Sequence, residues 1–318
     1  MKILFVIDRI ELKYFEFNKL VTNFWLIKEF LEKGQEVYIT TIDKLGLNSG
    51  IPYTKCSKSY IKDNDIFYNK EFEKKNIEEF NLVMFRPDPP VDLDYINATY
   101  IFDFVDREKT YIMNETKSIR DFNEKLHAVL FNEYMPKNLV TSSKEDIKEF
   151  LNENDEIILK PLNRCFGAGV MYLNKTDKNI TSIINTMTNN ETTLVMVQKY
   201  ISAGINGDKR VLILDGEVMD ECIIKLPPSD DFKFNNHCDE YIKKATLTNI
   251  EKENFTVVAQ KLKQMGIIMA GLDVIDGKII EINVTSPCYF IKEINERFST
   301  EIEHKIADKI LDKVVVKV

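Results

Sequence analysis

Three oxygen-bearing side chains late in the chain stand out because the residues around them are apolar. They are Asp273 in Gly271-Leu272-Asp273-Val274-Ile275, and Glu281 and Asn283 in Ile279-Ile280-Glu281-Ile282-Asn283. A polar group on a strand otherwise built for a core needs a partner. Glu281 and Asn283 are two residues apart and so share a strand face. Whether Asp273 joins them depends on the turn at Asp276-Gly277, a dipeptide that favours tight hairpins. A two-residue turn would pair Asp273 with Ile280 and turn it to the opposite face. A three-residue turn over 276–278 with a bulge would pair Asp273 with Glu281, and this is the form we expect. Two carboxylates and an amide oxygen gathered in this way suit Mg2+ (or Mn2+), which takes one or two carboxylates and lets substrate phosphates complete its octahedron. From spacing alone, a solvated strand face accounts for the same residues equally well.

Cations that could face a phosphate are spread along the chain. Lys160 closes the apolar run Ile157-Ile158-Leu159 and is followed by Pro161, which presents its charge at a strand end. Gly167 and Gly169 follow in a short turn whose backbone amides could approach phosphate oxygens. Lys125 lies in Asn123-Glu124-Lys125-Leu126, and Arg210 in Asp208-Lys209-Arg210, where a planar guanidinium could meet developing negative charge. Singly, each such residue is more often a surface charge or a plain turn.

The elements that must position them read as alternating α and β. Lys2 to Asp8 is a strand, Phe15 to Lys33 a helix stopped by Gly34, and Glu36 to Thr41 a second strand, together a βαβ unit. Arg9-Ile10-Glu11-Leu12 stands where a dinucleotide site would need a glycine-rich turn, so a nicotinamide fingerprint is absent. Asn81 to Phe85 and Thr110 to Met113 extend this sheet, with Asp92 to Asp106 as the helix between them. A middle unit follows: strand Asn138 to Thr141, helix Lys144 to Asn154, and strands Glu156 to Pro161, Val170 to Asn174 and Leu194 to Ile201. Asp-Gly pairs mark hairpins over Val211 to Lys225 and Ile267 to Val284. Between these hairpins, Pro227 to Tyr241 is polar and aperiodic, as a substrate lid is. The expected division is an α/β unit over 1–122, a small unit over 123–202, and a third over 203–318.

The totals bound what such a chain can do. Its 318 residues exceed what one core usually organises, and 44% hydrophobic with 30% charged residues supports globular folding throughout. A net charge of -8 disfavours a nucleic-acid partner. Five scattered cysteines without a Cys-x-x-Cys pair fit a reducing, cytoplasmic setting, and neither an export signal nor an apolar run of membrane-spanning length is evident.

Several longer stretches resemble prokaryotic glutathione synthetase, a family with the ATP-grasp fold. They are Met84-Phe85-Arg86-Pro87-Asp88-Pro89-Pro90, Ala98-Thr99-Tyr100-Ile101, Ser118 through Leu126, Ile157-Ile158-Leu159-Lys160-Pro161-Leu162, Gly207-Asp208-Lys209-Arg210-Val211-Leu212 and Glu281-Ile282-Asn283-Val284-Thr285-Ser286-Pro287. The resemblance implies an α/β chain with an N-terminal Rossmann-like domain ahead of two ATP-grasp units that hold ATP between them. It implies a ligase that condenses γ-glutamylcysteine with glycine through an acyl-phosphate. Carried over, Asp273, Glu281 and Asn283 would hold magnesium, and Lys125, Lys160 and Arg210 would contact the triphosphate beside the loop of Gly167 and Gly169. Gln198, Lys199, Tyr200 and Ile201 would line the adenine pocket and Asp208 the ribose. Arg86 would face γ-glutamylcysteine, with Asn283 and Ser286 where substrate meets metal. The resemblance also suggests a homotetramer.

The likeness thins in two places. The phosphate loop carries fewer glycines than the family pattern, with Arg164, Cys165 and Phe166 inserted among them. In the lid, Lys225 and Lys233 replace arginines, Asn235 matches, and Asp239-Glu240 stands where two glycines would be. Lysine lacks the bidentate fork that grips a carboxylate, and added carboxylates would repel one. A ligase of the same fold with another amine acceptor, and a nucleotide-binding regulatory protein without turnover, therefore stand beside the first reading.

Overall fold

A computed structural model describes residues 1–9, 21–165, 167–228, 239–287 and 290–315. The first apolar runs form parallel strands β1 (Lys2–Ile7) and β2 (Glu36–Thr41), joined on one side by helix α1 (Thr22–Glu32). Only residues from 21 onward of the expected first helix are described.

A stretch that carried no expectation, between residues 42 and 80, forms an antiparallel excursion of β3 (Leu45–Asn48), the 12-residue β4 (Ile51–Lys62), β5 (Asp65–Tyr68) and β6 (Glu73–Asn76). β7 (Leu82–Phe85) and β8 (Tyr111–Met113) then return to the parallel arrangement, giving the order β3-β4-β2-β1-β7-β8 with β5 and β6 both paired to β4. Helix α2 (Leu93–Ile101) starts where Asp92 accepts the Tyr95 N–H at 2.9 Å. It ends sooner than the pattern suggested, passing into a 3-10 turn at Phe102–Phe104. Helix α3 (Thr116–Asp121) leads to the Lys125 segment.

The middle sheet is antiparallel, in the order β11 (Met171–Asn174), β10 (Glu156–Pro161), β12 (Val195–Lys199), β9 (Asn138–Thr141). Helices α4 (Lys144–Asn154) and α5 (Ile180–Met187) cover it and share its own apolar cluster, including Ile147, Leu151, Ile157, Leu159, Ile184 and Val197.

The third sheet runs β16 (Ile242–Ala245), β15 (Cys222–Lys225), β13 (Asp208–Leu214), β17 (Met269–Ile275), β18 (Lys278–Asn283), with β14 (Glu217–Val218) paired to β13. Helix α6 (Asn249–Gln264) packs on one face, opened by a reciprocal cap between Thr248 and Glu251. Helices α7 (Ile291–Phe298) and α8 (Ile302–Val315) lie with the other face. Alternation along β13 sends Val211 and Ile213 into one core and Leu212 and Leu214 into another, and both cores also contain residues of the first sheet such as Leu4 and Phe5. Among the described residues, no helix is long and apolar enough to cross a membrane.

Candidate active site

The hairpin of β17 and β18 brings Asp273 opposite Glu281, the expected pairing, but by a different turn. Asp276 and Gly277 both have positive φ, 49° and 71°, and Ile275 pairs directly with Lys278 in a two-residue turn. Two left-handed residues give the turn whose twist matches the flanking strands. The extra residue appears instead as a bulge beyond Val274↔Ile279, at Ile280. The three-residue turn is therefore corrected: the same gathering of oxygens is achieved one pair further from the loop. The bulge has its own use, because a bulged residue leaves the ladder. The Ile280 carbonyl accepts from Lys160 Nζ at 3.2 Å and lies 3.5 Å from Gln198 Nε2, tying β10 and β12 of the middle sheet to the hairpin.

A row of alternating charge crosses the third sheet from this point. Arg210 on β13 is in register with Asp273 and donates from Nη1 to Oδ1 at 2.6 Å, while its Nη2 lies 2.7 Å from Asp208 Oδ2. Asp208 in turn is in register with Lys225 on β15, whose ammonium also sits 5.2 Å from the centre of the Phe290 ring. At the other end, Asn283 Nδ2 donates to Asp273 Oδ1 at 3.0 Å, and Lys125 Nζ donates to Glu281 Oε1 at 2.8 Å. Lys125 also donates to the Arg164 carbonyl at 2.7 Å, which fastens the phosphate-loop candidate to the same cluster. Asn123 supports that loop, donating to Leu162 O at 3.1 Å and accepting the backbone N–H of Lys125 at 3.1 Å.

Burial sets the electrostatics. Lys160, buried beside other cations, has its pKa lowered by desolvation, with Glu281 opposing. Lys125 is also desolvated, but the attraction of Glu281 outweighs that and its pKa is raised. Burial pushes the Asp273 carboxyl up to about 8 against the pull of Arg210, with Asp208 and Glu281 adding repulsion. Asp208 is raised for the same first reason, and its Oδ1 has no hydrogen-bond partner among the described residues. Asp273, Glu281 and Asn283 thus stand side by side on facing strands, with both carboxylates withdrawn from bulk water. That condition, with a donor set of hard oxygens, fits a divalent cation. Among the described residues no group of three or more His, Cys, Asp or Glu forms a metal cluster, so the cation would rest on two carboxylates and an amide.

The remaining sequence candidates divide. Gly167 and Gly169 hold positive φ of 68° and 75°, and a side chain at Gly169 would press on Pro161 and Arg164 at 3.1 and 3.3 Å, so the loop can turn this tightly only without one. Gln198 is buried within the site, whereas Lys199 points out to solvent and contributes through its backbone, bonded to Lys137 O at 2.8 Å. Tyr200 packs edge-on to Tyr172, and Ile201 begins a short 3-10 turn. Arg86 is not in the charged row. It is buried, bonded to Asn23, to Met269 Sδ at 3.4 Å and to the Pro287 carbonyl at 3.0 Å, where it ties the first sheet to the segment of Ser286. Ser286 bonds to Asp88, whose carboxyl is pushed up by burial. Lys233 and Asn235 lie outside the described residues.

Two residues, Asn114 of the first unit and Glu124 at the start of the second, went unnoticed in the sequence although both touch this site. Asn114, at the end of β8, donates to Met269 O at 2.7 Å and Val284 O at 2.8 Å and accepts from Ile268 N and Met269 N, each at 2.8 Å. Glu124 accepts from Val284 N, Thr285 N and Thr285 Oγ1. Adjacency to Lys125 was the available signal for Glu124.

Residues 1–120 match the prokaryotic glutathione synthetase N-terminal domain, and residues 124–299 match the prokaryotic glutathione synthetase ATP-grasp domain. The chain belongs to the prokaryotic glutathione synthetase family. It is 35% identical over 291 residues to glutathione synthetase of Vibrio vulnificus strain CMCP6, covering 91% of this chain and 92% of that relative. With glutathione synthetase of Neisseria meningitidis serogroup B it is 31% identical over 316 residues, 98% of each. The fold is also that of the crystal structure of D-cycloserine synthetase DcsG, with a TM-score of 0.67 at 12% identity over 99% of this chain and 100% of the other. The chain is thus an ATP-grasp, ATP-dependent ligase of the glutathione-forming family, as the sequence resemblance implied.

Proposed function

We propose that the chain joins γ-glutamylcysteine to glycine at the seam of the hairpin, the middle sheet and the Lys125 segment. The observation that carries this reading is the charged row Lys125–Glu281, Asp273–Arg210–Asp208, with Lys160 bonded to the carbonyl of Ile280, the residue before Glu281. Asp273, Glu281 and Asn283 would hold Mg2+, which when bound supplies charge neutralisation for phosphoryl transfer. Lys125, Lys160 and Arg210 would hold the ATP phosphates with the amides near Gly167 and Gly169. Gln198 through Ile201 would receive the adenine and Asp208 the ribose.

Phosphoryl transfer asks a protein mainly for positioning and charge, not for a side-chain nucleophile. In this reading the γ-phosphoryl passes to the cysteinyl carboxylate, and the amine of glycine then displaces phosphate. Lys125 would exchange its bonds to Glu281 and the Arg164 carbonyl for phosphate when nucleotide binds. Arg86, Lys225, Lys233, Asn235, Asn283 and Ser286 are assigned to the substrates. Units 1–122, 123–202 and 203–318, a homotetrameric assembly and a cytoplasmic location belong to the same proposal. Phosphate release with ATP, Mg2+ and γ-glutamylcysteine should depend on glycine when a panel of amino acids and amines is supplied. Turnover indifferent to glycine but responsive to another amine would overturn the acceptor, and ATP binding without any phosphate release would overturn the enzyme reading.

A further inference from the structure

β18 is the outer strand of its sheet, so its outward N–H groups have no ladder partner. Those groups must be satisfied by something else. Glu124 supplies it at Ile282 and continues just past the strand end, at Val284 and Thr285. Its main-chain carbonyl accepts from Ile282 N at 3.1 Å, between Glu281 and Asn283. Its side-chain Oε1 accepts from Val284 N at 2.8 Å, Thr285 N at 3.1 Å and Thr285 Oγ1 at 2.9 Å, between Asn283 and Ser286. The carbonyl of Val284 is fixed from the opposite direction by Asn114 Nδ2 at 2.8 Å. The residue after Glu124, Lys125, holds Glu281 itself.

We propose that Glu124 is a positioning residue: one carboxylate oxygen, accepting three hydrogen bonds, holds the strand end so that Glu281 and Asn283 face a divalent cation together. The inference rests on the metal site proposed above. Groups that orient metal ligands typically change metal affinity by about 10- to 100-fold when removed. A merely structural role would lower thermal stability without moving metal affinity in the folded protein.

The test is Mn2+ binding followed by the electron paramagnetic resonance signal of free Mn2+, with ADP present, alongside thermal unfolding. Glu124→Ala should weaken Mn2+ binding about tenfold or more. Glu124→Asp, which keeps the charge but shortens the reach and so keeps the fold if Ala does not, should weaken it several-fold. Glu124→Gln, which retains an acceptor oxygen of the same reach, should restore binding to within about threefold of the parent. Glu281→Gln is the control for the site itself. If it weakens Mn2+ binding while Glu124→Asp and Glu124→Ala do not, the positioning role is overturned and the metal site stands. If Glu281→Gln also leaves binding unchanged, the metal site fails and the inference fails with it.

Discussion

The middle sheet and the pair formed by the first and third sheets are joined to their surroundings by different forces. The first and third sheets share two continuous apolar cores, so Leu4 and Val6 belong with Val211 and Leu272, and Phe5 belongs with Leu212 and Leu214. The middle sheet keeps a separate small core under α4 and α5, and among the described residues it is tied to the rest through polar groups: Lys160 and Gln198 to the Ile280 carbonyl, Asn123 to Leu162, Lys125 to Arg164 and Cys165 to Pro89. Apolar burial is lost as a whole when a core is pulled apart, whereas a polar contact is exchanged for water at a net cost of about 1 kcal/mol per hydrogen bond. The molecule is therefore fused where it must be rigid and stitched where a nucleotide would enter. The charged row sits on the fused side and the loop that would cover phosphate on the stitched side.

That contrast can be broken or sharpened by substitution. The largest effect is expected at Glu281→Gln, which removes charge at the seam without disturbing either core. Turnover in the phosphate-release assay should fall about 1,000-fold, roughly 4 kcal/mol of barrier. Thermal stability should fall far less, by what the Lys125 pair contributes, and an equal loss of both would mean the residue serves folding alone. Next comes Asn114→Ala on the fused side, which would strand the two carbonyls and two N–H groups that Asn114 now satisfies. Each orphaned buried group costs about 1–3 kcal/mol, so urea unfolding should show a loss of at least about 3 kcal/mol in one cooperative transition.

Leu159→Ala should cost about 2–5 kcal/mol, but in the middle core alone. Hydrogen exchange should quicken across β9 to β12 while β1, β2 and β7 stay protected. Uniform loss of protection would mean the three sheets unfold as one and the contrast is wrong.

The smallest effect lies at the joint of α1 and α8. His304 Nδ1 is 2.5 Å from Glu29 Oε2 and Nε2 is 3.0 Å from Glu301, with Lys33 close by on Glu29 and Asp308. Burial lowers the His304 pKa, but Glu29 outweighs it and the net shift is upward. A raised folded pKa contributes stability that is complete below the unfolded value near 6.5 and is lost as pH rises through the folded one. His304 is about half exposed, so the change should be small and weaken with salt. A pH series of melting temperatures should show the step in the parent and not in His304→Gln. A step of the same size in both would assign it elsewhere.

Much of the frame is legible in the sequence. Asn138–Thr141, Lys144–Asn154 and Glu156–Pro161 fall where their patterns put them, because each is a short element whose period, caps and breakers lie within itself. The antiparallel excursion over β3 to β6 was not read. Two of its strands, β4 and β6, are rich in Lys, and only the alternating burial along β4 marks them. Helix α6 carried its Thr248–Glu251 cap in plain sight, and that signal was available without a fold.

By itself the sequence determined the kinds of groups in the site and the family to which they belong, since carboxylate, ammonium and guanidinium chemistry is fixed by residue type. Which of them meet was decided by tertiary structure. A bulge at Ile280, not the length of the turn, set Asp273 against Glu281, because a single inserted residue changes which faces align and only the packed sheet selects where it goes. Arg86 was drawn into a buried tie to Pro287, and Glu124 gained its three donors, because the segment just past the edge strand, 160 to 161 residues away, needed an acceptor that local sequence cannot specify.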